Sequence, residues 1–324
     1  MKHAICTILT ASTLLAASAC ATATANLPRG EIYSFESDGN GFNTKTFFYD
    51  TGEEVVAIDA QFTPALARQA IAFLRTKTSR PLTHLVITHP NPDKFNGAEV
   101  FREEGAEVIA SRRTVEAMPG VHAYKKNFFV NVAKMFREEE YPALARVDRV
   151  FDGELALTLR NGRRLELREL SQAGVSGNQT VAYVPELSAL FVGDMVHAKA
   201  HAWLEGGIVN GAPAPALAGW IAGLREIGSI FAGKEEGVTV YGGRGEAAPL
   251  KAAISEQIRY LERADTLVST YVQNLGSGAR AKLSGAEAGR HYLALQARFE
   301  QEFPGYGLAY MIQYGVYGLV NSKL

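Results

Sequence analysis

Four side chains able to bind metal, move protons or hold charge stand in one short loop. They are His89, Asn91, Asp93 and Lys94, within Leu82-Thr-His-Leu-Val-Ile-Thr-His-Pro-Asn-Pro-Asp-Lys-Phe-Asn-Gly97. Imidazole and carboxylate are metal donors and proton carriers; the asparagine oxygen is a weak neutral donor, and a lysine ammonium has no lone pair to give. The loop therefore mixes groups that attract a cation with one that repels it. Leu85, Val86 and Ile87 form an apolar run of the kind buried in a sheet. The run stops at Thr88, where a proline-punctuated segment begins, and a rigid strand end fixes what such a loop displays.

The elements around the loop follow from pattern. Ile32–Phe35, Thr44–Tyr49 and Val55–Ile58 alternate with turn residues such as Asp38-Gly-Asn-Gly41 and read as a β-meander. Thr63 is placed to cap a helix with Pro64 at its first position and Leu66, Ala70, Ile71 and Leu74 as its buried stripe. A strand over 82–88, a helix over about 96–104 and a strand over 106–110 come next, so helices cover a sheet. Residues 114–142 read as helical and half-polar, a lid or an insertion. Strands return at 155–159, 165–170, 180–184 and 189–192, with Asn161-Gly162 as a hairpin turn. A helix over 215–231, a strand over 238–241 ending in Gly242-Gly-Arg-Gly245, and helices over 247–274 and 284–302 complete the chain, with an aromatic tail behind them. There is no internal repeat and no low-complexity linker.

The first 25 residues read as a signal peptide. Lys2 starts it, Ile5 to Ala17 is apolar or small, and Ala23-Thr-Ala25 fits a peptidase site. The apolar core is short for a permanent membrane span. Ala17-Ser-Ala-Cys20 loosely resembles a bacterial lipoprotein box, so a lipid anchor at Cys20 is the alternative to cleavage after Ala25. Either way the expected location is outside the cytoplasm, periplasmic or as a membrane-anchored lipoprotein. Cys6 and Cys20 are the only cysteines, and a chain cleaved after Ala25 keeps no thiol for disulfides or zinc. With 33 basic and 34 acidic residues and a formal net charge of −1, and no basic run, no nucleic-acid partner is expected.

Several motifs in order carry a resemblance to the metallo-β-lactamase superfamily. Ile58-Asp59-Ala60 looks like the family's strand-end aspartate, and Thr88 to Lys94 like its His-x-His-x-Asp-His loop. Val181-Ala-Tyr-Val-Pro185 with Leu190-Phe-Val-Gly-Asp194 looks like a further family segment, and Gly243-Arg-Gly245 sits where the family has Gly-His-Gly. The resemblance implies an α/β fold: an αββα metallo-β-lactamase-like sandwich over 26–250, followed by an additional C-terminal helical segment over 251–324.

The resemblance also implies where metals would sit. The first metal would use the positions of His89, Asn91 and approximately Val175; the second those of Asp93, Lys94 and Arg244; Asp194 would bridge them. No histidine lies between His122 and His197 or between His201 and His291, so a shifted alignment restores no ligand. His89, Asp93 and Asp194 remain as residual metal positions, with Asp59 and Asn91 in support. Lys94 and Arg244 beside Asp93 and Asp194 instead predict an internal ion-pair cluster in place of the metals, since buried carboxylates need counter-charge. Asp93, Lys94 and Arg244 are the candidate working residues, with the two cations as an alternative anion pocket.

Smaller signals were weighed too. His197 and His201, spaced i, i+4, read as a pocket rim. Tyr306, Tyr310, Tyr314 and Tyr317 read as one helical face, packed on the domain or on a second copy in a homodimer. The stretch 122–140, with Phe128, Phe129, Val132 and Phe136, could cover the pocket mouth. Ser171 and Ser176 show no triad. Two functions follow, with a scaffold whose helical C-terminus mediates assembly as a third. One is an exported hydrolase homologue that has lost its dinuclear zinc and binds a small molecule or anion, with no cofactor. The other is an active hydrolase on His89, Asp93 and Asp194, with zinc only if a mononuclear site persists.

Overall fold

Apolar alternation in the N-terminal part produces an antiparallel meander of β1 (Glu31–Glu36), β2 (Lys45–Asp50) and β3 (Val55–Ile58). β4 (Leu82–Val86), β5 (Glu107–Ser111) and β6 (Arg149–Phe151) add in parallel, giving a six-stranded sheet in sequence order. The structure is a computed structural model in which residues 29–324 are described. The expected leader, with Ala25 and Cys20, lies outside the described residues.

The crossovers of this sheet are helical, as parallel strands require. α1 (Pro64–Lys77) starts as the sequence predicts: Thr63 accepts a hydrogen bond from the Leu66 N–H at 3.2 Å, and Leu66, Ala70, Ile71 and Leu74 are buried. Between β4 and β5 run the single-turn α2 (Pro92–Phe95) and the short α3 (Ala98–Glu103). α4 (Arg112–Asn127) is capped by Ser111 and passes into a π-helical turn, Phe128–Val132. The helix expected to reach 142 stops there; Lys134 lies in the left-handed region at φ 54°, and irregular chain follows.

The second sheet has the order β14-β13-β10-β9-β8-β7. Its strands are β7 (Glu154–Thr158), β8 (Arg164–Glu169), β9 (Thr180–Val184), β10 (Ala189–Ala198), β13 (Thr239–Gly245) and β14 (Ala248–Pro249), with β11 (Gly207–Val209) and β12 (Ala212–Ala214) as a separate hairpin. Gly162, at φ 78°, turns β7 into β8 as Asn-Gly predicts. Phe47, Val56, Ile58, Val86 and Ile109 of the first sheet pack against Leu165, Leu167, Ala182, Val184 and Phe191 of the second. α1 and α3 cover the outer face of the first sheet.

The second sheet's outer face meets α5 (Leu217–Ile230) and α6 (Leu250–Leu275), where Trp220, Leu224, Tyr260, Leu261, Ala264 and Val268 share one core with strand residues such as Leu190 and Val192. This is the αββα sandwich. α7 (Ala279–Ser284), α8 (Ala288–Glu302), α9 (Tyr310–Gly315) and α10 (Tyr317–Asn321) add the C-terminal helical segment, and Leu295, Phe299, Ile312 and Val320 join the same core. None of the described helices is long and apolar enough to cross a membrane.

The expected single tyrosine face is broken. Tyr306 precedes α9 and stacks on Tyr260, Tyr310 donates to Asn43 Oδ1 at 2.9 Å, and the Tyr317 hydroxyl meets that of Tyr124 at 3.1 Å. Only Tyr314 is exposed, at 53 %. The chain turns between α9 and α10 because Gly315 and Gly318 press against Trp203 and the Glu205 backbone, where a Cβ would sit 2.6 Å and 2.1 Å from the nearest atoms.

Candidate functional site

Asp59 after β3, Asp93 and Lys94 in the loop after β4, Asp194 within β10 and Arg244 near the end of β13 converge. β10 runs to Ala198 rather than stopping at 192, because Gly193, at φ 50°, bends it and lets it continue beside β13. A Cβ on Gly193 would come within 2.6 Å of Thr88 Oγ1, and one on Gly243 within 1.9 Å of Asp194 Oδ1. The two glycines thus let the Asp194 carboxylate lie against both strands. At the end of β3, Asp59 and Gln61 occupy the left-handed region at φ 63° and 91°. Such backbone costs of order 1–3 kcal/mol and persists only where the surroundings impose it. Here they do: the Ala60 and Gln61 N–H groups donate to the Lys94 and Asp93 carbonyls at 2.9 and 3.1 Å.

The four predicted groups meet. Arg244 Nη1 donates to Asp194 Oδ1 and Oδ2 at 2.6 and 2.7 Å, and Nη2 to Asp93 Oδ2 and Thr44 Oγ1 at 2.9 Å each. Its Nε donates to the Phe42 carbonyl at 3.1 Å. All five guanidinium hydrogens are thereby engaged. Lys94 Nζ, with no exposed surface, lies 2.8 Å from Asp194 Oδ1, 3.0 Å from Asp93 Oδ2 and 4.0 Å from Asp59 Oδ2. These are charge contacts rather than aligned hydrogen bonds.

The electrostatics follow from burial set against pairing. Burial pushes Asp93 up, but Lys94 and Arg244 outweigh it and hold the carboxyl down at about 2. Burial opposes ionisation of Asp194 too, and Arg244 and Lys94 keep it well below the carboxylate range. Lys94 and Arg244 would be driven toward neutrality by burial, yet Asp194 and Asp93 raise both above their ordinary values. Asp59 goes the other way: desolvation dominates and raises it. Lys94, His89 and the Thr88 N–H offset that desolvation only in part.

His89 is fully buried. Its Nδ1 is 2.9 Å from Thr88 Oγ1, which also lies 2.9 Å from both Asp59 oxygens. Its Nε2 is 3.7 Å from Asp194 Oδ2 and has no hydrogen-bond partner. Thr88 Oγ1 donates to the Asp59 carboxyl and lies within hydrogen-bond distance of His89 Nδ1, so the hydroxyl links the two groups. Asn91 starts α2 without a capping bond from its side chain and lines the pocket above.

That pocket has a volume of about 40 Å³ over Asp93, Asp194 and Arg244, and Phe42, Phe62, Phe129, Trp203 and Met311 close round it. Phe129 is the part of the expected lid that reaches it; Val132 points to solvent at 65 % exposure. Lys125 also lines it, its ammonium ion-paired with Glu205 and 5.3 Å from the Trp203 ring centre.

Other sequence expectations are corrected. His197 and His201 do not form the rim of this pocket. His197 lies in the extended β10, and His201 is enclosed by Tyr260, Phe299, Phe303 and Tyr306. β10 ends at Ala198, so the two histidines stand on different segments and share no face. Val175 is in the apolar core, Ser171 Oγ donates to half-buried Glu226, and Ser176 is buried with its hydroxyl unpaired. Thr44, Lys125 and Trp203 had no motif to announce them. Thr44 follows a turn that was legible, but its bond to Arg244 spans 200 residues.

Comparison with known proteins agrees with this fold. The family model of the metallo-beta-lactamase superfamily matches residues 39–242. A metallo-beta-lactamase from Pontibacter korlensis is similar in structure, with TM-score 0.52 and 19 % identity over 72 % of this chain and 94 % of its own. The DIM-1 metallo-beta-lactamase exposed to ceftazidime gives TM-score 0.50 and 17 % identity over 74 % and 100 %. The FIM-1 enzyme from Pseudomonas aeruginosa, in a mono-zinc form, gives TM-score 0.50 and 17 % identity over 72 % and 90 %. No curated protein matches the chain by sequence. The chain belongs to the metallo-beta-lactamase superfamily. Among its described residues, no group of three or more His, Cys, Asp and Glu could hold a metal ion.

Proposed function

We propose that this superfamily member has exchanged its metal centre for the Lys94–Arg244 ion-pair cluster and acts by binding a small molecule rather than by zinc-dependent hydrolysis. One observation carries the reading: Lys94 Nζ lies between Asp194 and Asp93, at 2.8 and 3.0 Å. The residues present do not fit the family's zinc. A divalent ion there would have to displace Lys94 and would stand beside Arg244, a repulsion of several kcal/mol even at an effective dielectric near 20. His89 Nε2 has no hydrogen-bond partner at the cluster, and His197 on β10 has neither ring nitrogen engaged. Zinc would supply an activated water and an oxyanion clamp; this chain's own groups are poor substitutes. Asp93, held at about 2, is a weak base at neutral pH, and no nucleophile has a dedicated base.

Metal content of the purified protein, measured by plasma mass spectrometry after incubation with zinc and with manganese, tests this. The expected result is far less than one ion per chain. The double variant Lys94→His/Arg244→His, which would offer two histidines with Asp93 and Asp194, is expected to take up about one zinc. A hydrolase built on His89, Asp93 and Asp194 is the second reading, favoured by the unpartnered Nε2 of His89. About one zinc per wild-type chain, lost in His89→Ala and Asp194→Ala, would establish it and sink the first.

A further inference from the structure

We infer that the pocket over the cluster seats a primary ammonium group, the end of an organic amine, rather than an anion. The inference rests on the metal-free reading of the site and gives its ligand a charge. Every contact of the Asp93 carboxylate falls on Oδ2: Thr44 Oγ1 and Arg244 Nη2 at 2.9 Å, and Lys94 Nζ at 3.0 Å. Oδ1 accepts nothing, and Asp93, at 11 % side-chain exposure, is the most accessible member of the cluster. The pocket lining therefore includes a carboxylate with one oxygen that accepts no hydrogen bond from the described residues.

The cations do not present themselves in the same way. Arg244 has spent all its donors, and Lys94 has no accessible surface. An anion would have to pull one of them off a carboxylate. Lys125, the remaining cation of the pocket wall, is bound to Glu205 Oε2, and Glu205 Oε1 behind it is buried and unpaired. Around Asp93 stand the rings of Phe42, Phe62, Phe129 and Trp203. Aromatic faces attract cations and repel carboxylates. The half-buried Asn91, whose side chain caps nothing, adds an amide oxygen at the wall. The volume agrees. About 40 Å³ holds roughly three waters, or an ammonium with its first carbons, where whole drug-sized ligands need about 300 Å³ or more. The ligand enters head first, its charged end on Asp93 Oδ1 and its stem between the rings.

Titration calorimetry with n-butylammonium, butanol and butyrate, on the same metal-analysed protein, tests this. The expected order is ammonium over alcohol by about tenfold, with butyrate weakest. Asp93→Asn, which keeps the shape and removes the charge, should abolish the preference for ammonium over butanol. Should that variant not fold, Phe62→Leu serves instead and should narrow the preference a few-fold by removing a ring. Butyrate binding as well as or better than the amine overturns the inference in favour of an anion site. So does the absence of saturable amine binding, or an amine preference indifferent to both substitutions. If the protein proves to hold zinc, it is the metal-free reading that fails; a metal-free protein that prefers butyrate leaves that reading standing and fails only this one.

Discussion

Lys94 and His201 both lie in the interior with no exposed surface, yet they respond to burial in opposite ways. Lys94 is charged, because Asp194 and Asp93 more than offset its desolvation. His201 is neutral: four aromatic rings surround it, its Nδ1 meets the Tyr260 hydroxyl at 3.2 Å, and burial, which Glu300 only partly offsets, pushes it down to about 4. His197, on β10 close to the cluster, is likewise driven down, to about 3, by burial that Asp194 only partly offsets. The interior therefore keeps a charge only where an opposite charge is in contact and sheds it elsewhere. That is why the Asp93–Asp194 cluster can bury its aspartates beside two cations, while the apolar C-terminal core encloses an uncharged imidazole.

The contrast breaks most decisively at Lys94. Lys94→Met should cost about 3–5 kcal/mol in chemical denaturation, because it leaves Asp93 and Asp194 buried with only Arg244. A neutral or stabilising result would mean that the cluster is not held by charge. Acid then separates the two regions by pH. His201 has a folded value of about 4 against an ordinary 6.5. Its contribution is complete above about 6.5 and is lost as the pH falls toward 4, because the unfolded chain takes up the proton first. Each such histidine adds a slope of at most about 1.4 kcal/mol per pH unit. His201→Phe should flatten the stability profile in that window. Asp93 acts lower down: its stabilisation is present above about 3.8 and disappears as the pH falls toward about 2. A profile flat between 6.5 and 4 and falling only below 4 would show that the cage histidine is not buried neutral.

Much of this could be read in the sequence where local chemistry decides. Thr63-Pro64 started its helix, Asn161-Gly162 made its turn, and His89, Asp93, Asp194 and Arg244 met as the motif order implied. What escaped was set by distant packing. β10 reads as ending at 192, but Gly193 at positive φ carries it six residues further to Ala198, and that extension turns the His197/His201 spacing from a supposed helical face into strand and cage. The tyrosine stripe after Pro304 has helical spacing, yet Gly315 and Gly318 bring the chain so close to Trp203 and Glu205 that two short helices replace one. Thr44 and Lys125 are ordinary residues in sequence; only partners 49 and 80 positions away make them part of the site.

The smallest test compares one hydroxyl in each region. Thr88 Oγ1 bridges His89 Nδ1 and Asp59, and the Tyr260 hydroxyl bridges His201 Nδ1 and the Ala202 N–H at 3.1 Å. Thr88→Val and Tyr260→Phe remove them with little change of shape. An unsatisfied buried polar group costs about 1–3 kcal/mol, so both variants should be less stable. Thr88→Val should lie at the upper end, because it strips the bond from a carboxyl whose ionisation is already opposed by burial, whereas Tyr260→Phe exposes only an imidazole nitrogen and one amide. Thr88→Ser, which retains the hydroxyl, should recover most of the loss. If Thr88→Val were no worse than Tyr260→Phe, Asp59 would gain nothing from the hydroxyl.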